Sequence, residues 1–102
     1  LGKSGGIFKA LKMVSMAEQV NIHLQVGAMI ESRLAMTAFA HFALCSPNIV
    51  HFDFDTALML KEDPVTGGIM YEKNGVVKVP EAVGLGATIN ESWLQKMEKV
   101  VI

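Results

Sequence analysis

Asp53 and Asp55 stand two residues apart in the run His51-Phe52-Asp53-Phe54-Asp55-Thr56-Ala57, at the end of an apolar stretch. In a β-strand residues i and i+2 share a face, so an extended run aims both carboxylates one way and packs Phe52 and Phe54 on the other side. Two negative charges on one spot repel each other unless a cation, a proton or strong donors lie between them, and this makes the strand end a candidate ligand site. The alternative is an ordinary solvated strand end, since most carboxylates are simply exposed. His23, His41 and His51 lack the i, i+4 pairing of a zinc-binding helix, although His51 would share the strand face of the two aspartates. The single cysteine, Cys45, rules out an intrachain disulfide and makes a reducing, cytoplasmic setting the expectation. Gly5-Gly6 ahead of a helix could cradle an anion, but no longer glycine signature accompanies it.

Alternating elements would position these residues. Ser4-Gly5-Gly6 reads as a turn able to present free backbone N–H groups, followed by an amphipathic helix with Ile7, Leu11, Val14 and Ala17 on one stripe. His23 to Val26 reads as a short strand closed by Gly27. Ser32 can cap a second helix, Arg33 to Leu44, which is apolar nearly all round and rich in alanine, as befits a buried helix. Pro47-Asn48 ends it, and Ile49 to Asp55 is the next strand. Loop, helix, strand, helix, strand is the rhythm of a parallel α/β sheet or barrel, whose sites lie at the C-terminal ends of the strands. Both Gly27 to Ser32 and Asp53 to Ala57 lie at such ends. After Pro64, Gly68 to Glu72 and Val76 to Val79 flank Lys73-Asn74-Gly75, and the Asn-Gly pair favours a tight type I′ hairpin turn. Gly84-Leu85-Gly86 then leads to a short helix capped by Asn90, with Trp93, Leu94 and Met97 as its apolar stripe.

Composition bounds the partners. A chain of 102 residues is one domain or less. Apolar residues make up 51%, too many for disorder, and a net charge of −1 leaves no basic surface for nucleic acid. The longest apolar stretch, Leu34 to Leu44, is interrupted by Thr37 and His41. It falls short of the ~18 residues a membrane span needs, so no membrane partner is expected.

Lys3-Ser4-Gly5-Gly6-Ile7, Gly27-Ala28-Met29-Ile30-Glu31-Ser32, Asp53-Phe54-Asp55 and Gly84-Leu85-Gly86 occur in the order and spacing of one family. Over nearly its whole length the chain resembles the dipeptide epimerases, in the muconate lactonizing branch of the enolase superfamily. The Gly-Gly-Ile turn and the Met-Ile-Glu loop mark the branch; Asp-Phe-Asp favours dipeptides within it. The resemblance implies an α/β fold, the C-terminal part of a modified (β/α) TIM-like barrel followed by a β-hairpin and a short helix returning to an N-terminal capping domain. Residues 1–65 would be the last helices and strands of that barrel and residues 66–102 the hairpin and terminal helix. The chain opens on Leu1 and would be the last quarter of a longer protein.

The family's chemistry, carried over as expectation, is Mg²⁺-dependent proton abstraction α to a carboxylate. One lysine removes the proton and a second returns it on the opposite face, which inverts a single centre. Neither lysine would lie in this chain. Lys3 matches the second lysine of the family's Lys-x-x-Lys-x-Gly-Gly pattern, so the catalytic one would immediately precede Leu1, with Lys3 the fallback if the register is misjudged. The metal carboxylates would likewise lie upstream. What remains here is substrate recognition. Asp53 and Asp55 match the carboxylates that bind the dipeptide's α-ammonium, and Ala28, Met29 and Ile30 match a loop whose backbone contacts the dipeptide. Glu31 would order that loop or support a neighbouring lysine, with a role as catalytic acid the lesser alternative. Two alternatives stay open: an N-acylamino acid racemase or o-succinylbenzoate synthase, whose substrates lack a free ammonium, and a structural fragment without activity of its own. A homo-oligomer is expected of the full-length protein, and the preferred dipeptide is left open.

Overall fold

The computed structural model describes residues 1–101 and is built around one β-α-β unit. Helix α1 spans Ile7–Gln19, β1 Leu24–Val26, α2 Arg33–Ala43 and β2 Ile49–Phe52. β1 and β2 pair in parallel, with Gln25 opposite His51 and Val26 opposite Phe52. A parallel pair needs a crossover, and α2 supplies it. Every residue of α2 is buried or half-buried, as its all-round apolar sequence requires, and Met36, Thr37, Phe39, Ala40 and Ala43 face the interior. All but Thr37 join Val14 of α1, Val26, Ile49, Ala57 and Ile69 in the core cluster.

The stripe of α1 differs from expectation. Ala10, Val14 and Ala17 are the buried positions, whereas Ile7 and Leu11 remain exposed. A narrow contact selects the small residues, because alanine lets the helix approach closely. Gly5 and Gly6 enter the helix with φ of 76° and 94°, but their N–H groups donate to the carbonyls of Gly2 (3.2 Å) and Leu1 (3.0 Å). They are therefore not free to hold an anion. Ser32 occupies the N-cap of α2 without a side-chain capping bond.

Residues beyond Pro64 form two antiparallel pairs. β3 (Val65–Gly67) pairs with β6 (Ala87–Ile89), a strand that the glycine-rich sequence concealed. The ladder is extended at both ends, by the Gly68 N–H on the Gly86 carbonyl and the Asn90 N–H on the Pro64 carbonyl, each 2.8 Å. β4 (Met70–Tyr71) and β5 (Val77–Lys78) form the expected hairpin. Asn74 and Gly75 adopt the positive φ that their sequence favours, 67° and 77°. The closing bond, however, runs from the Glu72 N–H to the Val76 carbonyl, so the loop holds three residues rather than the two of a type I′ turn. Helix α3 is a single turn, Glu91–Leu94, and Asn90 caps it by accepting from the Ser92 N–H at 2.9 Å.

The chain's sole arginine ties the two halves together. Arg33, in the first turn of α2, donates to the carbonyls of Val65, Gly67 and Ile69 and pairs with Asp63. One turn later Thr37, fully buried, donates to the Arg33 carbonyl (2.7 Å) and accepts from the Ile69 N–H (3.0 Å). A rigid fork of donors suits these three alternate carbonyls better than a lysine would.

Candidate functional site

Because β1 and β2 run in parallel, the loops that follow them emerge on the same side. The Asp53 N–H donates to the Val26 carbonyl at 2.9 Å, which carries the pairing one residue past the end of β2. The strand stops there, so Asp55 does not share its extended geometry. Its φ and ψ of −83° and −19° are helical, and Thr56–Met59 follows as a 3₁₀ turn. The two carboxyl groups nevertheless come together. Asp55 is pushed above the ordinary aspartate range, first by the side-chain hydrogen bond it shares with Asp53, then by partial desolvation and by the Asp53 charge. Two carboxylates this close repel each other when both are ionised, and a cation between them relieves that repulsion. Asp53 is half-buried and Asp55 exposed, so the pair is open to a ligand.

Three bonds fix the backbone of this short run. Besides the Asp53 N–H, the Phe54 carbonyl accepts from the Tyr71 hydroxyl at 2.6 Å, and the Asp55 carbonyl from the Leu58 N–H at 2.9 Å. Phe52 and Phe54 stack with ring centroids 5.9 Å apart, together on one side as the i, i+2 spacing predicts. Phe54 packs half-buried against the edge of the core, while Phe52 is largely exposed. They line an apolar cavity of about 460 Å³, with Ala40, Leu58, Tyr71 and Asp55 around it.

The neighbouring loop is ordered by its own acid. Glu31 accepts from the Met29 N–H at 2.5 Å, and its carbonyl accepts from the Thr56 hydroxyl at 3.5 Å, which links the two loops. Ala28 packs against the core, whereas Met29 and Ile30 are largely exposed. Lys3 is exposed in the turn before α1 and forms no ion pair with Asp53 or Asp55 among the described residues. Among those residues, too, no group of three or more His, Cys, Asp or Glu side chains is placed to hold a metal ion. Asp53 and Asp55 supply two carboxylates and no third, so they do not fit a metal centre by themselves.

Motif spacing missed the supporting residues: Arg33, Thr37, Thr56 and Tyr71. Arg33 did leave a signal, since a lone cation in the first turn of a helix opposes the helix dipole and needs a compensating partner. The others bond to backbone groups 17 to 32 residues away in the chain, which no local pattern records.

The enolase C-terminal domain-like family model matches residues 1–93. The D-Ala-D/L-Ala epimerase of Cytophaga hutchinsonii is 49% identical over 102 residues, which is 100% of this chain and 28% of that protein. The L-Ala-D/L-Glu epimerase of Bacillus subtilis is 48% identical over 86 residues, 84% of this chain and 23% of its own length. The N-succinyl-L-Arg/Lys racemase of Bacillus cereus is more distant, 35% identical across 95% of this chain and 26% of that protein. Among solved structures, the dipeptide epimerase from Cytophaga hutchinsonii, complexed with Mg and the dipeptide D-Ala-L-Val, superposes with a TM-score of 0.89 at 48% identity. It is matched over 93% of this chain and 26% of its own. The chain thus spans about a quarter of the length of the curated relatives it matches.

Proposed function

The chain belongs to the enolase C-terminal domain-like family, and from that premise we propose that it is the substrate-recognition quarter of a Mg²⁺-dependent dipeptide epimerase. The observation that carries the proposal is the Asp53–Asp55 pair, two carboxyl groups placed close together just past the C-terminal end of a parallel strand pair, with Asp55 raised above the ordinary aspartate range by its neighbour. An α-ammonium group supplies the positive charge that the pair lacks, through charge-assisted hydrogen bonds to both side chains. Facing it, the backbone of Ala28, Met29 and Ile30, held by Glu31 and Thr56, contacts the peptide, and the small Ala28 side chain permits close approach. Binding at these points holds the substrate's α-carbon in place for acid–base groups supplied by the rest of the full-length protein.

In this reading residues 1–65 are the last part of a (β/α) barrel and residues 66–102 a hairpin and helix directed toward a capping domain. The catalytic lysines and the Mg²⁺ ligands stand upstream, with Lys3 beside the first of them. The protein is a homo-oligomeric isomerase of the cytoplasm. An N-acylated substrate offers Asp53 and Asp55 no α-ammonium, and the racemase relative is also the more distant one, at 35% identity against 49%.

The test is isotope exchange by the full-length protein with Mg²⁺ in D₂O, offered L,L-dipeptides and N-acylamino acids in parallel. Deuterium uptake at Cα of the dipeptides, lost in Asp53→Asn and Asp55→Asn, is the expected outcome. Uptake confined to the N-acylated compounds would replace the epimerase with a racemase.

A further inference from the structure

Of the three bonds that fix residues 53–55, one is made to β1, one to the 3₁₀ turn that follows, and one comes from farther along the chain, from a tyrosine in the β4–β5 hairpin. We infer that Tyr71 is a positioning residue for the aspartate pair: its hydroxyl pins the Phe54 carbonyl and thereby sets where Asp55 stands relative to Asp53. The inference rests on the ammonium-clamp reading and assigns to the hairpin a part in substrate affinity.

The geometry makes the connection direct. Phe54 is the only residue between the two aspartates, and its carbonyl belongs to the peptide plane that continues into Asp55. Rotation of that plane swings Asp55 while Asp53 stays tied to Val26. A 2.6 Å bond from Tyr71 blocks the rotation. The ring itself is held. It packs half-buried against the core and borders the same cavity as Asp55. Two residues earlier, Ile69 is fully buried, with its N–H on Thr37 and its carbonyl on Arg33. A continuous chain of bonds therefore runs from the first turns of α2, through β4, to the carboxylate pair. Burial also raises the Tyr71 hydroxyl above its ordinary titration range, so it stays protonated as a donor. Sites are held to productive geometry by such supporting bonds.

The experiment compares Tyr71→Phe, Asp55→Asn and Val77→Ala in the full-length Mg²⁺-loaded protein, measuring kcat and KM for an L,L-dipeptide with a free α-ammonium. Tyr71→Phe removes one oxygen and keeps the ring. Val77→Ala disturbs packing at the residue paired with Tyr71 and leaves the hydroxyl in place. The expected result is a rise in KM of about three- to tenfold for Tyr71→Phe, the equivalent of one neutral hydrogen bond, with kcat within twofold and KM unchanged in Val77→Ala. An unchanged KM in Tyr71→Phe, or an equal rise in Val77→Ala, overturns the positioning role while a loss in Asp55→Asn leaves the clamp standing. Full activity in Asp55→Asn overturns the clamp and the inference with it.

Discussion

At the scale of single residues, the Asp53–Asp55 pair works against folding and for binding. A carboxyl whose folded-state pKa is raised favours the folded chain when protonated; that contribution is fully present below the ordinary aspartate value and is lost as pH rises through the raised one. At neutral pH the pair is a repulsion, as expected of a site kept for a cation. Asp55→Asn should therefore leave the melting temperature of the full-length protein unchanged or higher, while kcat/KM for dipeptides falls roughly ten- to hundredfold, the range of one charge-assisted hydrogen bond. A lower melting temperature would make Asp55 a structural residue. The sign for binding is opposite to that for stability. An ammonium needs the ionised carboxylate, so affinity is retained above the raised value and lost as pH falls through it. On the acid side KM should begin to climb at a higher pH than an unpaired aspartate would give, and a KM profile from neutral to acid pH reads this directly. The residue types and their spacing were legible in the sequence; that Asp55 leaves the strand and turns back to Asp53 was not, because the helical φ/ψ at Asp55 follows from the 3₁₀ turn beyond it.

At the scale of elements, α2 is the member on which both halves depend. Thr37 serves two backbone groups from a fully buried position, the Arg33 carbonyl and the Ile69 N–H. Thr37→Val keeps the shape and orphans the Ile69 N–H, at a cost of about 1–3 kcal/mol. The expected signature is faster amide exchange at Ile69 and along β4, with less change in β1 and β2; uniform behaviour across all strands would contradict it. A similar close approach occurs where β3 meets β6. Gly67 has φ +73°, and a Cβ there would lie 2.3 Å from the Gly86 carbonyl oxygen. Gly67→Ala should cost about 1–3 kcal/mol and lower the melting temperature by several degrees. The helices and the first two strands could be read from periodicity because their patterns extend over enough residues. β6 could not, since three residues carry no period and its partner lies some twenty residues earlier.

At the scale of the molecule, the described residues do not close on themselves. Their radius of gyration is 14.9 Å, against about 13 Å for a compact domain of this length. Phe8, Met13 and Met16 of α1 are more than half exposed, as are Leu58 and Met59, and a two-stranded parallel pair has two open edges. Expressed alone, the segment should melt without a cooperative transition and should associate through these surfaces, which circular dichroism and light scattering would register; a sharp melt of a monomer would show that it is a domain in its own right. The sequence by itself determined the α/β rhythm, the family and the two aspartates, because apolar periodicity, turn glycines and motif spacing are local properties. Tertiary structure alone decided which face of α1 is buried, that the Gly5 and Gly6 amides are already engaged, that Arg33 and Thr37 tie α2 to residues 63–69, and that Tyr71 braces the loop after β2. Those outcomes depend on which backbone groups from distant parts of the chain come within hydrogen-bonding reach, and that distance is set by packing rather than by the order of residues.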